Sequence, residues 1–218
     1  HTGLKVSRLG IGLAEIGYEL GLNNGQQAGR VLNRALDLGI NFLDTAACYA
    51  GSETLIGRHV AHRRDEFILA TKAGHAISGY PGHSWTVQTI TDSIERSLER
   101  MQTDRLDLVQ LHSCSLEVLE RGEVIRALLD AKQAGKTRYV GYSGDNQAAR
   151  WAVESGHFDT LQTSFNLVDQ WARTDLFPAA QARGMGIIAK RPIANAVWDG
   201  GSGATATYQR RAREMSGQ

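Results

Sequence analysis

The chain alternates between short apolar runs and longer segments in which apolar residues recur with helical spacing. Short runs rich in β-branched residues are typical of buried strands, and the longer segments between them are typical of helices. A strand, helix, strand order with short connections predicts parallel pairing through right-handed crossovers, and therefore an α/β fold. The predicted strands are residues 9–13, 40–43, 67–71, 106–111, 138–142, 160–163 and 186–189.

The segment after Ser84 has the clearest helical period. Ile90, Ile94, Leu98 and Met101 follow one another at spacings of four, four and three residues. This spacing places them in one apolar stripe along an otherwise polar helix. The stripe predicts a helix that packs on a flat apolar surface.

Both an open doubly wound sheet and a closed barrel have this order of strands and helices. Four polar residues at or just past the ends of predicted strands favour the closed barrel. They are Asp44, Tyr49, Lys72 and His112. An open sheet binds ligands at a topological switch point, whereas a closed barrel takes catalytic groups from the C-terminal ends of many strands. The sequence therefore predicts a (β/α)8 TIM barrel. A dinucleotide fingerprint at residues 10–15 is incomplete, because Glu15 stands where the third glycine is needed.

Composition gives no sign of a macromolecular partner. The 218 residues are 42% hydrophobic and 22% charged, with a formal net charge of +1, so neither nucleic acid nor an anionic membrane is indicated. No export signal is recognisable, and no run approaches the roughly 18 apolar residues of a spanning helix. Cys48 and Cys114 are far apart and lack metal-ligand spacing. We therefore expect no metal, no disulfide framework and a cytoplasmic location.

The length fits one barrel domain, residues 1–218, that is incomplete at its C-terminus. Such barrels usually have about 250 residues, and seven predicted strands precede a glycine-rich stretch at residues 199–204. A basic helix at residues 208–215 follows, and the sequence predicts no eighth strand. Either residues of the natural protein are missing after Gln218, or another subunit closes the barrel.

Six motifs in the chain resemble those of the aldo-keto reductases. They occur in the family's order, and the resemblance covers nearly the whole chain, from about Gly3 to the region of Pro192. Their number and order make the resemblance more specific than any single motif would. The motifs are NFLDTAACYAGSE at 41–53, ATK at 70–72, QLH at 110–112, VGYS at 140–143, LQTSFN at 161–166 and IIAKRP at 187–192.

The resemblance implies reduction of an aldehyde or ketone to an alcohol by hydride transfer, with NADPH as the expected cofactor and NADH left open. Hydride transfer to a carbonyl carbon leaves negative charge on oxygen, which needs a proton donor. Tyr49 is the expected donor, and Lys72 beside it would lower the pKa of the phenol. Asp44 would keep the buried ammonium charged, and His112 would donate a hydrogen bond to the carbonyl oxygen.

Each of these residues also has an ordinary structural interpretation. Asp44 could cap the following turn, and Tyr49 could be a half-buried ring with its hydroxyl in water. Lys72 could extend to solvent, and His112 could bond a strand-end carbonyl. The four together favour the catalytic interpretation.

Cofactor contacts follow from the same resemblance. Ser143 and Gln162 would bind the nicotinamide carboxamide, and Asn166 would support the same rim. The family often has Asn directly after this serine, but the chain has Gly144 and then Asp145. The second half of the carboxamide site therefore differs from the family pattern.

Lys190 and Arg191 stand at the end of the seventh predicted strand, where the family often has an aromatic residue that stacks on the nicotinamide. The two cations would instead bind the cofactor pyrophosphate, because barrel phosphate sites form after strands seven and eight. The alternative is a solvated basic rim.

The substrate is expected to be a small carbonyl compound of unspecified class. The loop at residues 73–85 is a candidate substrate wall, although Trp85 could simply pack at the start of the next helix. Two other functions stay open: a nucleotide-binding barrel that acts as a sensor or regulatory subunit, and an isomerase that uses Lys72 and His112 without a nicotinamide. The sequence does not indicate an oligomeric state.

Overall fold

The computed structural model of the chain describes residues 2–20, 25–195 and 204–216. These residues fall into two compact units, Thr2–Gly141 and Tyr142–Gln218. We call them the N-terminal unit and the C-terminal unit. The predicted glycine-rich stretch at 199–204 lies, except for Ala204, outside the described residues. The prediction of a single domain stays a prediction.

Four complete parallel strands form the sheet of the N-terminal unit, and they are hydrogen-bonded in chain order. Their register pairs Gly12 with Asp44, Asp44 with Ala70, and Lys72 with Gln110. The strand ends that carry the predicted catalytic residues therefore lie at one edge of this sheet. The strands are β1 (Ile11–Gly12), β2 (Phe42–Asp44), β3 (Ile68–Ala73) and β4 (Leu106–His112).

Helices connect these strands and cover the sheet. The strands β3 and β4 are buried along nearly their whole length, as parallel strands covered by helices are expected to be. A π-helical turn, Ile16–Leu20, follows β1, and a 3-10 segment, Ala61–Glu66, precedes β3. The α-helices are α1 (Gly25–Asp37), α2 (Ser52–Val60), α3 (Val87–Met101), α4 (Leu116–Arg121) and α5 (Glu123–Gln133).

The predicted apolar stripe forms one face of α3. Ile90, Ile94 and Met101 are buried, and Leu98 is half-buried. Thr86 caps the helix, because its hydroxyl accepts a hydrogen bond from the backbone N–H of Thr89 at 3.1 Å. This cap satisfies one of the orphan donors of the first turn. The amphipathic pattern and the cap together stabilise α3.

The helices α2 and α3 approach each other closely at Gly57. A methyl group added there would lie 2.2 Å from the carbonyl oxygen of Arg100 and 3.0 Å from the Cα of Met101. Both neighbours are backbone atoms that cannot rotate away. A glycine is therefore needed at this contact.

A polar network, which we call the basal network, lies at the start of β3 and β4. Asp107 is 2% exposed, and its carboxylate accepts hydrogen bonds from Arg64 at 2.6 Å and from Arg138 at 3.0 Å. The backbone N–H of Leu69 donates to the same carboxylate at 2.9 Å. Two cations and a backbone donor compensate the burial of this charge. The network joins two neighbouring strands at the end opposite the predicted catalytic residues.

The C-terminal unit continues the alternation of strands and helices. Its two complete strands pair in parallel, with Gln162 opposite Ile188 and Ser164 opposite Lys190. A small apolar cluster packs Tyr208 of the last helix against Ala194, with Val168 beside them. The strand β5 (Thr137–Ser143) begins in the N-terminal unit, and the other elements are α6 (Asn146–Ser155), β6 (Thr160–Ser164), α7 (Trp171–Thr174), α8 (Leu176–Ala182), β7 (Gly186–Lys190) and α9 (Ala204–Ser216).

All seven predicted strands are present, and the α/β prediction is confirmed. The prediction for β1, residues 9–13, is longer than the observed strand, Ile11–Gly12. Leu9 is 63% exposed, so its apolar side chain is not part of a buried strand. The described segments contain no eighth strand, and none of their helices is long and apolar enough to cross a membrane.

Candidate active site

The four predicted catalytic residues all belong to the N-terminal unit. Asp44 is the last residue of β2, Lys72 is the next to last of β3, and His112 is the last of β4. Tyr49 lies in the loop between β2 and α2. The sheet register thus places three of the four at neighbouring strand ends.

Lys72 is buried and ion-paired. Its side chain is 3% exposed, and its Nζ donates hydrogen bonds to both carboxylate oxygens of Asp44, at 2.8 and 2.9 Å. A further hydrogen bond goes to the carbonyl oxygen of Thr45 at 2.8 Å. The Lys72 side chain does not extend into solvent. A buried ammonium needs such a counter-charge and acceptors to stay ionised.

The ring of Tyr49 lies beside both Lys72 and His112. The distance from the Lys72 Nζ to the centroid of the ring is 5.2 Å. The rings of Tyr49 and His112 have centroids 5.5 Å apart and meet edge to face. A phenol, an ammonium and an imidazole are thereby brought together.

Hydrogen bonds hold the loop that carries Tyr49 against the sheet. The N–H groups of Thr45 and Ala47 donate to the carbonyl oxygens of Ala70 and Lys72, at 2.9 and 3.0 Å. The hydroxyls of Thr45 and Ser52 lie 2.8 Å apart in the interior. These bonds extend the parallel pairing beyond β2, so they hold the loop backbone against β3 as far as Ala47, two residues before Tyr49.

Glu53, for which the sequence predicted no role, is a buried carboxylate behind the same loop. It is 1% exposed and accepts hydrogen bonds from the hydroxyls of Thr71 at 2.8 Å and Ser97 at 2.6 Å. Arg100 lies 3.4 Å from Glu53 and donates to the carbonyl oxygen of Ala47 at 3.1 Å. Burial raises the pKa of Glu53, although these hydroxyls and Arg100 oppose the shift. The signal available in the sequence was the position of Glu53 in the first family motif.

His112 has two neighbours that the sequence did not place. The Sγ of Cys48 lies 3.4 Å from its Nδ1. The ring of His75, from the loop after β3, lies edge-on at a centroid distance of 5.1 Å. His75 in turn contacts Trp85 at 4.8 Å. The loop at 73–85 therefore contributes rings beside the imidazole, and Trp85 also lies directly before the cap of α3.

A cavity of about 410 Å³ adjoins the loop of Tyr49. Small side chains make up much of its wall, and Tyr18 and Arg100 provide its larger polar groups. Such a mostly apolar wall with a few polar groups is typical of small-molecule sites. The lining residues are Tyr18, Ala47, Cys48, Ala50, Ala76, Ile77, Ser78 and Arg100.

The predicted carboxamide-binding residues lie together in the C-terminal unit. Ser143 and Gln162 are 1% and 2% exposed, and the N–H of Gly144 donates to the carbonyl oxygen of Gln162 at 3.0 Å. Asn166 is 5% exposed, and its Oδ1 accepts a hydrogen bond from the N–H of Val168 at 3.0 Å. Among the described residues, its buried Nδ2 has no hydrogen-bond partner.

Asp145 forms ion pairs with both predicted pyrophosphate-binding cations. Its Oδ2 lies 3.3 Å from the Lys190 Nζ and 3.4 Å from a guanidinium nitrogen of Arg191. Its Oδ1 accepts hydrogen bonds from the hydroxyl of Thr163 at 2.9 Å and the N–H of Ser164 at 2.8 Å. Burial alone would raise the pKa of Asp145, but Lys190 and these donors hold it below its usual range. The unexpected Asp145 thus accompanies the unexpected cations at the end of β7.

A second cavity, of about 200 Å³, lies at this end of β6 within the C-terminal unit. Asp145, Ser164 and Arg211 are among the residues that line it. Arg211 is held by Asp169 at 2.8 Å. Over the part of the chain that the structure describes, no three metal-ligating side chains come together.

Consecutive parallel strands with polar groups at their C-terminal ends are the arrangement of α/β barrel proteins. The chain belongs to the aldo/keto reductase family, whose family model matches residues 8–216. This confirms the resemblance, and members of the family are NAD(P)H-dependent oxidoreductases.

Characterised relatives and solved structures agree with this assignment. L-galactose dehydrogenase of Arabidopsis thaliana is 32% identical over 206 residues, which cover 89% of this chain and 64% of that protein. L-glyceraldehyde 3-phosphate reductase of Escherichia coli K12 is 31% identical over 216 residues, 91% of this chain and 61% of that protein. The chain thus spans a little less than two thirds of these relatives.

Two solved structures share the fold. An aldo-keto reductase from Bacillus halodurans, in its holo form, is 30% identical with a TM-score of 0.77, covering 89% of this chain and 65% of that one. An enzyme from Klebsiella pneumoniae in complex with NADP and acetate is 27% identical with a TM-score of 0.74, covering 88% and 66%. The likeness confirms the predicted barrel class.

Proposed function

We propose that the protein is an NADPH-dependent reductase that converts an aldehyde or ketone to an alcohol, with Tyr49 as the general acid. The observation that carries this proposal is the buried Lys72–Asp44 ion pair beside the Tyr49 ring, 5.2 Å from the Lys72 Nζ to the ring centroid. The dehydrogenase and reductase names of the relatives support the same reaction class. A small carbonyl compound is the proposed substrate.

The residues of the N-terminal unit have complementary roles in this proposal. Tyr49 gives its proton to the carbonyl oxygen, and the positive charge of Lys72 stabilises the phenolate that is left. Asp44 keeps the ammonium charged and aimed, through two hydrogen bonds of 2.8 and 2.9 Å. His112 donates a hydrogen bond to the same oxygen and orients the substrate. The cofactor, when bound, supplies the hydride that attacks the carbonyl carbon.

The residues of the C-terminal unit fit a dinucleotide. Asn166 offers a buried amide N–H₂ without a partner among the described residues, and a polar ligand group would satisfy this donor. Ser143 and Gln162 would bind the carboxamide, while Lys190 and Arg191 would bind the pyrophosphate. Asp145 occupies both cations in this structure, so a phosphate would compete with its carboxylate.

The proposal extends to the location of the protein and to its partners: a cytoplasmic protein that binds a small molecule and no nucleic acid. We propose a cytoplasmic location because the sequence has only two cysteines, Cys48 and Cys114, which lie far apart and form no disulfide framework pattern. The net charge of +1 gives no support for a nucleic-acid partner.

The test combines cofactor binding with turnover in the wild-type chain and in Tyr49→Phe. Binding is measured by quenching of emission from the four Trp residues on titration with NADPH. Turnover is measured by oxidation of NADPH with 4-nitrobenzaldehyde. We expect Tyr49→Phe to retain binding and to lose about 10²- to 10⁴-fold in kcat, the range of general acid catalysis.

Tyr139→Phe is the matched control, because the hydroxyl of Tyr139 donates to the carbonyl oxygen of Thr2, away from the catalytic residues. This variant should keep full turnover. NADPH binding by the wild type without turnover of a panel of aldehydes and ketones would favour the sensor function instead. Full turnover by Tyr49→Phe would refute its role as the acid.

A further inference from the structure

Cys48 contacts the imidazole that the proposed reaction uses. Its Sγ lies 3.4 Å from the Nδ1 of His112, which is within hydrogen-bond distance for sulfur. Cys48 directly precedes Tyr49 in the chain. One peptide segment therefore presents both the phenol and the group that contacts the imidazole.

The direction of this hydrogen bond follows from the chemistry of the two groups. An imidazole nitrogen with a free lone pair is a good acceptor, whereas a thiol sulfur is a weak one. The thiol is also protonated at neutral pH, since burial raises the pKa of Cys48. Of the two possible directions, donation from S–H to Nδ1 is the one that uses the better acceptor. A neutral imidazole that accepts at Nδ1 carries its proton on Nε2.

Neighbouring contacts restrict the movement of both partners. The hydroxyl of Tyr18 donates to the carbonyl oxygen of Cys48 at 2.9 Å, and the N–H of Ala47 donates to the carbonyl oxygen of Lys72 at 3.0 Å. The ring of His112 meets Tyr49 and His75 edge to face, at centroid distances of 5.5 and 5.1 Å. The sulfur is anchored by its backbone, and the imidazole is enclosed by rings.

We propose that Cys48 is a positioning residue, whose thiol donates to the Nδ1 of His112 and thereby directs an Nε2–H group towards the substrate oxygen. This inference rests on the proposed function for its catalytic consequence. The tautomer that it assigns can be measured without substrate. The thiol acts through His112 and does not itself contact the reacting atoms.

The experiment compares Cys48→Ala, which removes the donor, with Cys48→Ser, which replaces it with a hydroxyl donor. Nitrogen-15 NMR of the histidine side chains identifies the tautomer, and the spectrum of His112→Gln assigns the His112 signals. The wild type and Cys48→Ser should show the Nε2–H form, and Cys48→Ala should populate both tautomers. With NADPH and 4-nitrobenzaldehyde, kcat should fall about threefold to tenfold in Cys48→Ala, the size of one neutral hydrogen bond, and recover in Cys48→Ser.

Cys114→Ala is the matched control for loss of a thiol near the end of β4. This residue is 2% exposed, and burial raises the pKa of its thiol to about 12. The variant should keep the Nε2–H signal of His112. An Nδ1–H signal in the wild type, or an unchanged tautomer in Cys48→Ala, would overturn the proposal. If the tautomer responds as expected but no variant reduces a carbonyl, only the proposed reductase function fails.

Discussion

Replacement of Lys72 by Met should destabilise the fold as well as abolish turnover. The Nζ of Lys72 makes three hydrogen bonds, two to Asp44 and one to Thr45, and its side chain is 3% exposed. The substitution leaves the Asp44 carboxylate, 16% exposed, without its counter-charge. Loss of one partner of a buried ion pair costs about 3–5 kcal/mol in the free energy of unfolding.

The double variant Asp44→Asn, Lys72→Met separates this charge effect from the loss of packing. Both partners are then neutral, so no uncompensated charge remains buried. We expect the double variant to regain about half of the stability that Lys72→Met loses, since neutral replacement of a buried pair is often tolerated. Because Asp44→Asn alone leaves the buried Lys72 ammonium without its counter-charge and should cost a similar amount, the double variant should be far more stable than the sum of the two single changes predicts. Turnover should stay absent in both variants.

Urea unfolding followed by circular dichroism measures these stabilities. Arg121→Met is the control, because Arg121 forms an exposed pair with Glu117 at 3.2 Å. Loss of that pair should cost less than about 1 kcal/mol. Equal unfolding midpoints for wild type and Lys72→Met would refute the buried-pair argument. Strict additivity of the two single changes would also refute it.

Two further substitutions test other parts of the structure. Gly57→Ala places a methyl group 2.2 Å from the backbone of α3, so it should lower the free energy of unfolding in urea by about 1–3 kcal/mol. Gly12→Ala, where an added methyl group has nothing within 4 Å, should lower it much less. Asp145→Asn removes the carboxylate charge that pairs with Lys190 and Arg191 and should tighten NADPH binding by roughly two- to fivefold, the size of a partly exposed pair. Weaker binding would contradict the assignment of these cations to phosphate. The pKa of Asp145 is lowered in the folded state. The ionised carboxylate therefore stabilises the fold above the unfolded pKa of about 3.9, and this stabilisation is lost as the pH falls through the folded pKa. In a circular dichroism titration with acid, Asp145→Asn should therefore unfold over a less steep transition than the wild type.

The sequence predicted those parts of the molecule in which local pattern and tertiary packing agree. The apolar run of β4 is buried along most of its length, and the stripe of Ile90, Ile94 and Met101 faces inwards. The positions of Lys72 and His112 near the ends of two neighbouring strands could be predicted in the same way, because a parallel register brings those ends together.

Contacts between side chains from distant parts of the chain were not predictable in this way. The pairing of Asp145 with Lys190 joins residues 45 positions apart, and no periodicity signals it. Nothing in the local sequence around Glu53 indicates that it is buried. Its carboxylate is compensated in the interior by hydrogen bonds from the hydroxyls of Thr71, in a strand, and Ser97, in a helix. Charged side chains are rarely buried without such partners, and a single sequence does not reveal them.

The basal network around Asp107 lies at the opposite end of the strands from the candidate catalytic residues. Arg64 and Arg138 hold the carboxylate at the beginning of β4, while His112 ends the same strand at the opposite edge. In barrels of this kind, the catalytic residues lie at the C-terminal ends of the strands, and residues at the N-terminal ends contribute to stability. Substitutions in the loops around Tyr49 should therefore change ligand binding with little loss of stability, because the contacts of Asp107 lie at the other end of the strands.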